Sequence, residues 1–428
     1  MKRFSAALVV VLEVSAACLA GGSSGVAWAQ TPQATELTDK PFFIKKTWTI
    51  GGEGNWDYMT LDPVALQLYI AHGSAVQVVD VNEGKLSGQV TGLRDAHGIA
   101  LDDNGQYGYV TDGISNEVHV FDRQSLQIVA TIPTGKNPRS VVFDQANRLV
   151  YVICPATSEE SKIPRRTASG QTIRQSSDPL VKSTITVIDA DTQKRLADLI
   201  LPGKLGYGQT DGKGTVYVNV TDRNQIVYFH GQGIESRLRR LAAGPLSAPS
   251  ADGSRSAGTA DPTLTVDWSD TATEDQPVPK GLHVFPLTDC QSPKSLAIDA
   301  ADNRIFAACD NMKMQVIDST NGKVMDSLPI GAGTDGIGYD STRGLIYSSN
   351  GGGVGSLTII RQHLTDSYAV IQELPTRARA RTLAVNSVSG DVYLVTNITG
   401  FDLTHKGGIG DLKTAPVEGS FQVLVVGN

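Results

Sequence analysis

Positive charge, cysteine, aromatic residues and long apolar runs are all scarce in this chain, and each shortage excludes something. Lys and Arg total 37 against 44 Asp and Glu, giving a net charge of -7. That balance disfavours a general nucleic-acid or anionic-membrane binder. Aromatics make up 6% and charged residues 19% of the 428 residues, which suits short strands and turns rather than long charged helices. The four cysteines form no C-x-x-C or C-x-x-C-H, so neither covalent c-type haem nor a cysteine-rich zinc site is indicated. No G-x-S-x-G and no phosphate-cradling G-x-x-x-x-G-K-[ST] occurs. Gly351-Gly352-Gly353-Val354-Gly355 is a glycine-rich turn between strands, with no helix to follow it. No cofactor is required by the sequence.

The apolar run that does exist is short. Ala6–Leu12 follows the basic Lys2 and Arg3 and precedes Ala27-Trp28-Ala29, an A-x-A cleavage pattern. Residues 1–29 read as a secretory signal peptide cleaved after Ala29, residues 30–41 as a linker, and no later segment is fit to span a membrane. A periplasmic or secreted protein follows. Three cysteines then remain, Cys154, Cys290 and Cys309, an odd number that leaves at least one thiol free or paired between chains. The pattern places Cys309 opposite about Lys294, near Cys290 without facing it, so a bridge between the two stays open.

What the sequence has in abundance is a repeat. Six units end in an Ile-Pro-x-Gly-like strand, as in Val129–Gly135 and Met325–Gly331. Each unit begins with a short apolar strand closed by Asp or Asn, such as Tyr58–Asp62, Gly98–Asp102, Ser140–Asp144, Ser295–Asp299, Gly336–Asp340 and Thr382–Asn386. A turn and a tyrosine-bearing strand follow, then an alternating strand ending in Asp, then a Gly-Lys-like turn and the last strand. Successive units start 40 residues apart from Asp57 to His97, 42 from His97 to Arg139, 41 from Lys294 to Asp335 and 46 from Asp335 to Arg381. Units three and four are longer, with inserts at 155–183 and 231–280. The second insert, rich in Ala, Gly, Ser, Asp and Pro, reads as a mostly disordered excursion. The seventh unit stops at Phe421–Asn428, one strand short, and the missing strand stands at the other end, Lys45–Gly51. A ring of repeats closes by completing its last unit with its first strand. The fold class is therefore all-β, a seven-bladed β-propeller of four-stranded antiparallel blades over residues 42–428, closed by the N-terminal strand.

Tyr109–Asp112 (YVTD), Tyr393–Asn397 (YLVTN) and the Val-x-Val-Ile/Phe-Asp strands carry a resemblance to the YVTN-type (YncE-like) seven-bladed propeller repeat family. Trp56-Asp57-Tyr58, His97-Gly98-Ile99-Ala100, Gly135-Lys136-Asn137-Pro138 and Cys309-Asp310-Asn311 resemble a secreted bacterial subgroup of it. The resemblance implies the fold; such propellers host unrelated functions, so it does not imply an activity. It also raises single-stranded DNA binding, against which the acidic charge and few aromatics stand.

Function is expected where the repeat gathers one residue per blade. The position before each first strand holds Asp57, His97, Arg139, Tyr207, Lys294, Asp335 and Arg381, all at one mouth of the central channel. The second-strand ends, His72, Asp112, Asn219, Asp310, Asn350 and Asn397, are expected to add to it. Asp57, His97, Arg139, Lys294, Asp335 and Arg381 form the candidate ligand-binding set, suited to a small anionic or polar ligand because arginine forks bind carboxylate or phosphate. Arg139, Lys294 and Arg381, on blades three, five and seven, should surround the opening without being neighbours. The competing expectation is a hydrated channel whose polar lining only satisfies strand ends. No catalytic residue and no metal ligand is assigned: no glutamate enters the channel, and Arg381 opposes a cation between Asp57 and Asp335. The reading is a non-catalytic, monomeric binding or protein-interaction scaffold. Its rivals are a metal-dependent, lactonase-like hydrolase and an oxidoreductase subunit holding a non-covalent cofactor.

Overall fold

The aspartates that end so many strands are turn formers. Asp62 Oδ1 accepts the backbone N–H groups of Val64 at 2.9 Å and Ala65 at 3.0 Å, and Asp299, Asp340 and Asn386 do the same for their own turns. Asp80, Asp122, Asp189 and Asp318 repeat the device one hairpin later. Each is an Asx turn, in which the side chain replaces a backbone acceptor and reverses the chain. The repeated carboxylates are thereby used locally and are not a ligand set.

A computed structural model describes residues 40–156, 181–234, 264–267, 281–364, 366–401 and 414–428; the expected signal peptide at 1–29 lies outside the described residues. The strands form seven antiparallel blades around an axis, and no helix among the described residues is long and apolar enough to cross a membrane. The innermost strands are Trp56–Asp62, Ala96–Leu101, Ser140–Asp144, Leu205–Thr210, Pro293–Asp299, Thr334–Asp340 and Leu383–Asn386. Second strands such as Leu149–Cys154, Thr215–Val220 and Leu345–Asn350 are buried along their whole length, because neighbouring blades cover both faces. The outer strand Lys85–Val90 is mostly exposed. The core therefore lies between blades. One cluster joins Tyr69, Val76 and Val78 of blade one to Ile99, Val110 and Phe121 of blade two.

The ring closes as the repeat predicts. Phe43–Thr49 is the outermost strand of blade seven and pairs antiparallel with Gln422–Gly427. Its Trp48 stacks near Tyr393, ring centres 5.7 Å apart, and lies over the turn of blade one at Gly84. A Cβ at Gly84 would meet the indole at 2.4 Å, and the φ of 66° favours glycine as well. Gly322 stands in the same relation to Phe285 of blade four. The Gly-Lys turn of the repeat is thus a socket for the neighbouring blade's outer aromatic side chain.

One expectation is modified and one open question is answered. Part of the 231–280 insert is ordered: Leu264–Asp267 adds a fifth strand to blade three, parallel to Lys194–Pro202, although it belongs to the connection within blade four. Alternation makes this possible, since Val266 is buried in the core shared by blades three and four while Thr265 and Asp267 face out, and Lys182 Nζ lies 3.4 Å from Asp267. The rest of the insert, 235–263 and 268–280, and residues 157–180 of the other, lie outside the described residues. The question left open is answered by a bridge between Cys290 and Cys309, with Cα atoms 5.4 Å apart. The register explains this: the ladder opposes Cys309 to Pro293 and then slips before Ser295, which brings the chain around Cys290 closer than regular pairing allows.

Candidate functional site

Six of the seven repeat-position residues make polar contacts around one mouth. His97 is buried, and both its ring nitrogens face carboxylates: Nδ1 lies 2.7 Å from Asp57 Oδ2 and Nε2 lies 2.8 Å from Asp95 Oδ2. Arg139 reaches the same ring, with Nη1 3.2 Å from Nδ1, and donates from Nε to Asn137 Oδ1 at 3.2 Å. Arg381 Nε lies 3.2 Å from Asp335 Oδ2. Burial raises the Asp335 carboxyl, and Asp57 and Asp310 add to this, while Arg381 and Lys294 oppose it. Lys294 itself sits 3.9 Å from Asp310.

Asp57, His97, Arg139 and Arg381 line a single pocket of about 310 Å³ together with Asn55, Trp56, Asp95 and Arg379. Arg139 and Arg381 therefore share a pocket, where spacing around the ring placed them apart. The pocket is lined from four consecutive blades, seven, one, two and three, which brings Arg381 and Arg139 to one cavity. Lys294 and Asp335 do not line the pocket, although Asp335 is paired with Arg381, which does.

Sequence reasoning missed Asn55, Asp95, Asn137 and Arg379, although a signal for them was present. Each stands two residues before a mouth residue already identified, at Asp57, His97, Arg139 and Arg381, so the repeat carries a second tier above the first. Arg379 matters most. Its guanidinium lies 4.6 Å over the Trp56 ring and donates to Asn55 Oδ1 at 3.2 Å. Burial and the like charge of Arg381 push it below its ordinary range. Its backbone is left-handed, φ 67°, which places the side chain inward at a conformational cost of about 1 kcal/mol or more. Gly351 makes room for this loop: a Cβ there would meet Arg381 Cβ at 2.8 Å and the Arg379 backbone at 3.1 Å. Among the described residues neither Arg139 nor Arg379 has a carboxylate partner; they bond Asn137, the His97 ring and Asn55.

The second-strand ends do not serve the mouth as expected. His72, Asp112, Asn219, Asn350 and Asn397 are buried, and those with partners hold loops in place. Asp112 accepts backbone N–H groups from Arg94 at 2.7 Å and Asp95 at 3.2 Å, which fixes the loop that carries Asp95. Burial works against the Asp112 carboxylate, but the N–H groups of Arg94, Ser115 and Ile114 outweigh it and hold it below the usual range. His72 bonds Gln77 at 2.9 Å, and burial lowers its basicity. Only Asp310 of this set is exposed.

Beside the mouth residues, Tyr58 of blade one meets Tyr207 of blade four, ring centres 5.1 Å apart. Blades one and four stand on opposite sides of the ring, so the two rings bar the channel. Desolvation raises both phenols, Tyr207 to about 12 and Tyr58 further, helped by Asp57 and Asp335. A metal centre is not assembled here: among the described residues no group of three or more His, Cys, Asp or Glu side chains is placed to hold an ion.

The comparisons agree with this architecture. A family model described as Lactonase, 7-bladed beta-propeller, matches residues 65–188, from the first hairpin of blade one to the third strand of blade three. That segment contains His97 and Arg139 but not Asp57, Lys294, Asp335 or Arg381. No curated protein matches the chain. Among solved structures, the chain is similar to one described as Structure of U3-55K, with a TM-score of 0.57 and 8% identity over 88% of this chain and 97% of that one. It is also similar to one described as Crystal structure of RRP9 WD40 repeats, with a TM-score of 0.55 and 9% identity over 88% of this chain and 96% of that one. At such identity these likenesses speak for the propeller fold alone.

Proposed function

We propose that this chain is a periplasmic or secreted, non-catalytic binding module of the YVTN type, residues 42–428 forming the propeller behind a signal peptide at 1–29, and that its mouth takes a small organic anion. The observation that carries this reading is the pair Arg139 and Arg379, two half-buried guanidinium groups on one pocket with no carboxylate partner among the described residues. A partly desolvated cation without a counter-ion is unfavourable, and an arriving carboxylate supplies the charge and two acceptor oxygens. Arg381 is already paired with Asp335 and contributes less. Asp57 and Asp95 hold His97 and limit the affinity. The Cys290–Cys309 bridge suits an oxidising compartment.

Calorimetric titration with phenylacetate tests this. Arg139→Gln and Arg379→Gln should each weaken binding about tenfold, as expected for loss of a charge-assisted hydrogen bond, and Arg381→Gln should weaken it less. Equal binding by the Arg139→Gln/Arg379→Gln double variant would leave the mouth as a solvated channel. A pH dependence follows from Asp335. Its carboxyl is raised above the ordinary 3.8, so acidification neutralises it before exposed aspartates and releases Arg381. Affinity for benzenesulfonate, which stays ionised, should therefore increase as pH falls toward that value, and Asp335→Asn should flatten the increase. A fall in affinity on acidification would reverse the assignment.

A second reading rests on the family model over residues 65–188: a metal-dependent lactone hydrolase. The mouth does not fit a cation, because its carboxylates face His97 and its free side is lined by Arg139, Arg379 and Arg381. Calcium-dependent hydrolysis of a γ-lactone by the purified protein would establish this reading in place of the first.

A further inference from the structure

A second pocket, of about 340 Å³, opens beside the first on the seam between blades seven and one. Asn55 and Trp56 line both. Here the character reverses. The walls are Trp56, Phe421, His72 and the half-exposed Val417, with His72 and Phe421 rings 3.9 Å apart and Trp56 and Phe421 rings 5.4 Å apart. The charged members are two exposed carboxylates, Glu53 and Glu418, and no lysine or arginine lines it. Trp56 is the partition: its indole carries the Arg379 guanidinium and also meets the Phe421 ring of the apolar side. Two buried polar atoms belong to residues that line this pocket. Among the described residues the buried Trp56 Nε1, a donor, and Asn397 Oδ1, an acceptor, have no hydrogen-bond partner. The loop that supplies Val417 and Glu418 is pinned by its Thr399–Phe401 and Thr414–Pro416 hairpin and by Ser420, whose Oγ accepts from the Ile398 N–H at 3.1 Å.

We infer that the two pockets are halves of one bipolar cleft whose ligand is a short peptide with free termini. This rests on the reading of the mouth as an anion site. The terminal carboxylate lies against Arg139 and Arg379, an apolar side chain packs on Phe421 and Val417, and the terminal ammonium faces Glu53 and Glu418. Opposite charges at the two ends fix the direction in which the peptide lies and reject the reversed one, since reversal sets ammonium against arginine and carboxylate against glutamate.

Calorimetry on the purified chain with the tripeptide Ala-Ala-Phe, its N-acetyl form and its C-terminal amide tests the inference. The free tripeptide should bind about fivefold more tightly than the N-acetyl form, the scale of an exposed ion pair, and the amide should bind most weakly. Glu53→Gln with Glu418→Gln should make the free and N-acetyl peptides equal while leaving phenylacetate binding unchanged; both side chains are exposed, so folding is not at stake. Equal affinity of free and N-acetyl peptides for the unaltered chain overturns the bipolar cleft but leaves the anion mouth standing, provided phenylacetate binds. Failure of phenylacetate and of all three peptides removes the anion mouth itself, and this inference with it.

Discussion

Removal of residues 1–51 abolishes cooperative unfolding and drives the protein into aggregates. This is the largest effect expected of any change described, and its cause is the loss of one strand. Phe43–Thr49 covers the edge of Gln422–Gly427, whose side chains Val423, Leu424, Val425 and Val426 are buried. Without it, a flat apolar strand with unpaired backbone groups faces solvent, which is the template for edge-to-edge association. The loss extends past the ladder. Phe42 is buried beside Tyr347, with ring centres 5.9 Å apart, and its backbone exchanges two 2.8 Å hydrogen bonds with the Gln372 side chain. Burial of Phe42 alone is worth about 2 to 3 kcal/mol, and Trp48 over Gly84 joins blade seven to blade one. Denaturant unfolding and size-exclusion chromatography check this. A truncated chain that stays monomeric with an unaltered midpoint would mean that the ring is held elsewhere. A synthetic peptide of residues 40–52 should restore cooperativity in trans, because the strand is bound by pairing and packing and its covalent link to the rest of the blade runs the whole length of the chain.

Replacing Cys290 and Cys309 with alanine costs about 3 kcal/mol, the loop-closure value for a bridge spanning about 20 residues. For a domain of this size that lowers the melting temperature by about 4 °C. The bridge ties the loop leading into blade five to the end of its second strand, separated by 19 positions in sequence. Both sulfur atoms are buried in the core shared with blade four, so alanine removes the cross-link without burying a hydroxyl. The loss should be the same in the presence of reducing agent as in the double variant. Thiol titration gives an independent reading. The chain lacking residues 1–29 should show no reactive thiol when folded, since burial pushes Cys154 to about 12, and one when denatured without reductant. Three thiols in the denatured state would contradict the bridge.

The blades were legible in the sequence because each one repeats the same local chemistry. Asp62, Asp144, Asp299 and Asp340 end inner strands for one reason, an Asx turn, so they recur at fixed spacing. The missing strand of the seventh unit was legible as an absence. The site was legible only in its first tier. Asp57, His97, Arg139 and Arg381 occupy the repeat position, whereas Asn55, Asp95, Asn137 and Arg379 share only an offset two residues earlier and no single residue type. That Arg139 and Arg381 converge depends on loop conformation, including the left-handed Arg379 supported by Gly351, and no periodicity encodes this. The strand Leu264–Asp267 escaped notice because four residues inside a Ser-, Gly- and Asp-rich stretch carry too little pattern; it is a strand because blade three offers an open edge and Val266 finds a buried site there.

That borrowed strand makes the ring mechanically uneven. Most neighbouring blades are joined by a single crossing of the backbone and by side-chain packing. Blades three and four are also buckled together, because a length of chain leaves blade four, lies along the rim of blade three and returns to form His283–Pro286. Prying those two apart requires unzipping a backbone ladder as well as parting a core, so the pair should behave as one unit under tension. Under force or denaturant the first gap should open at another joint, and the last protected amides to exchange should lie in Lys194–Pro202 and its partners.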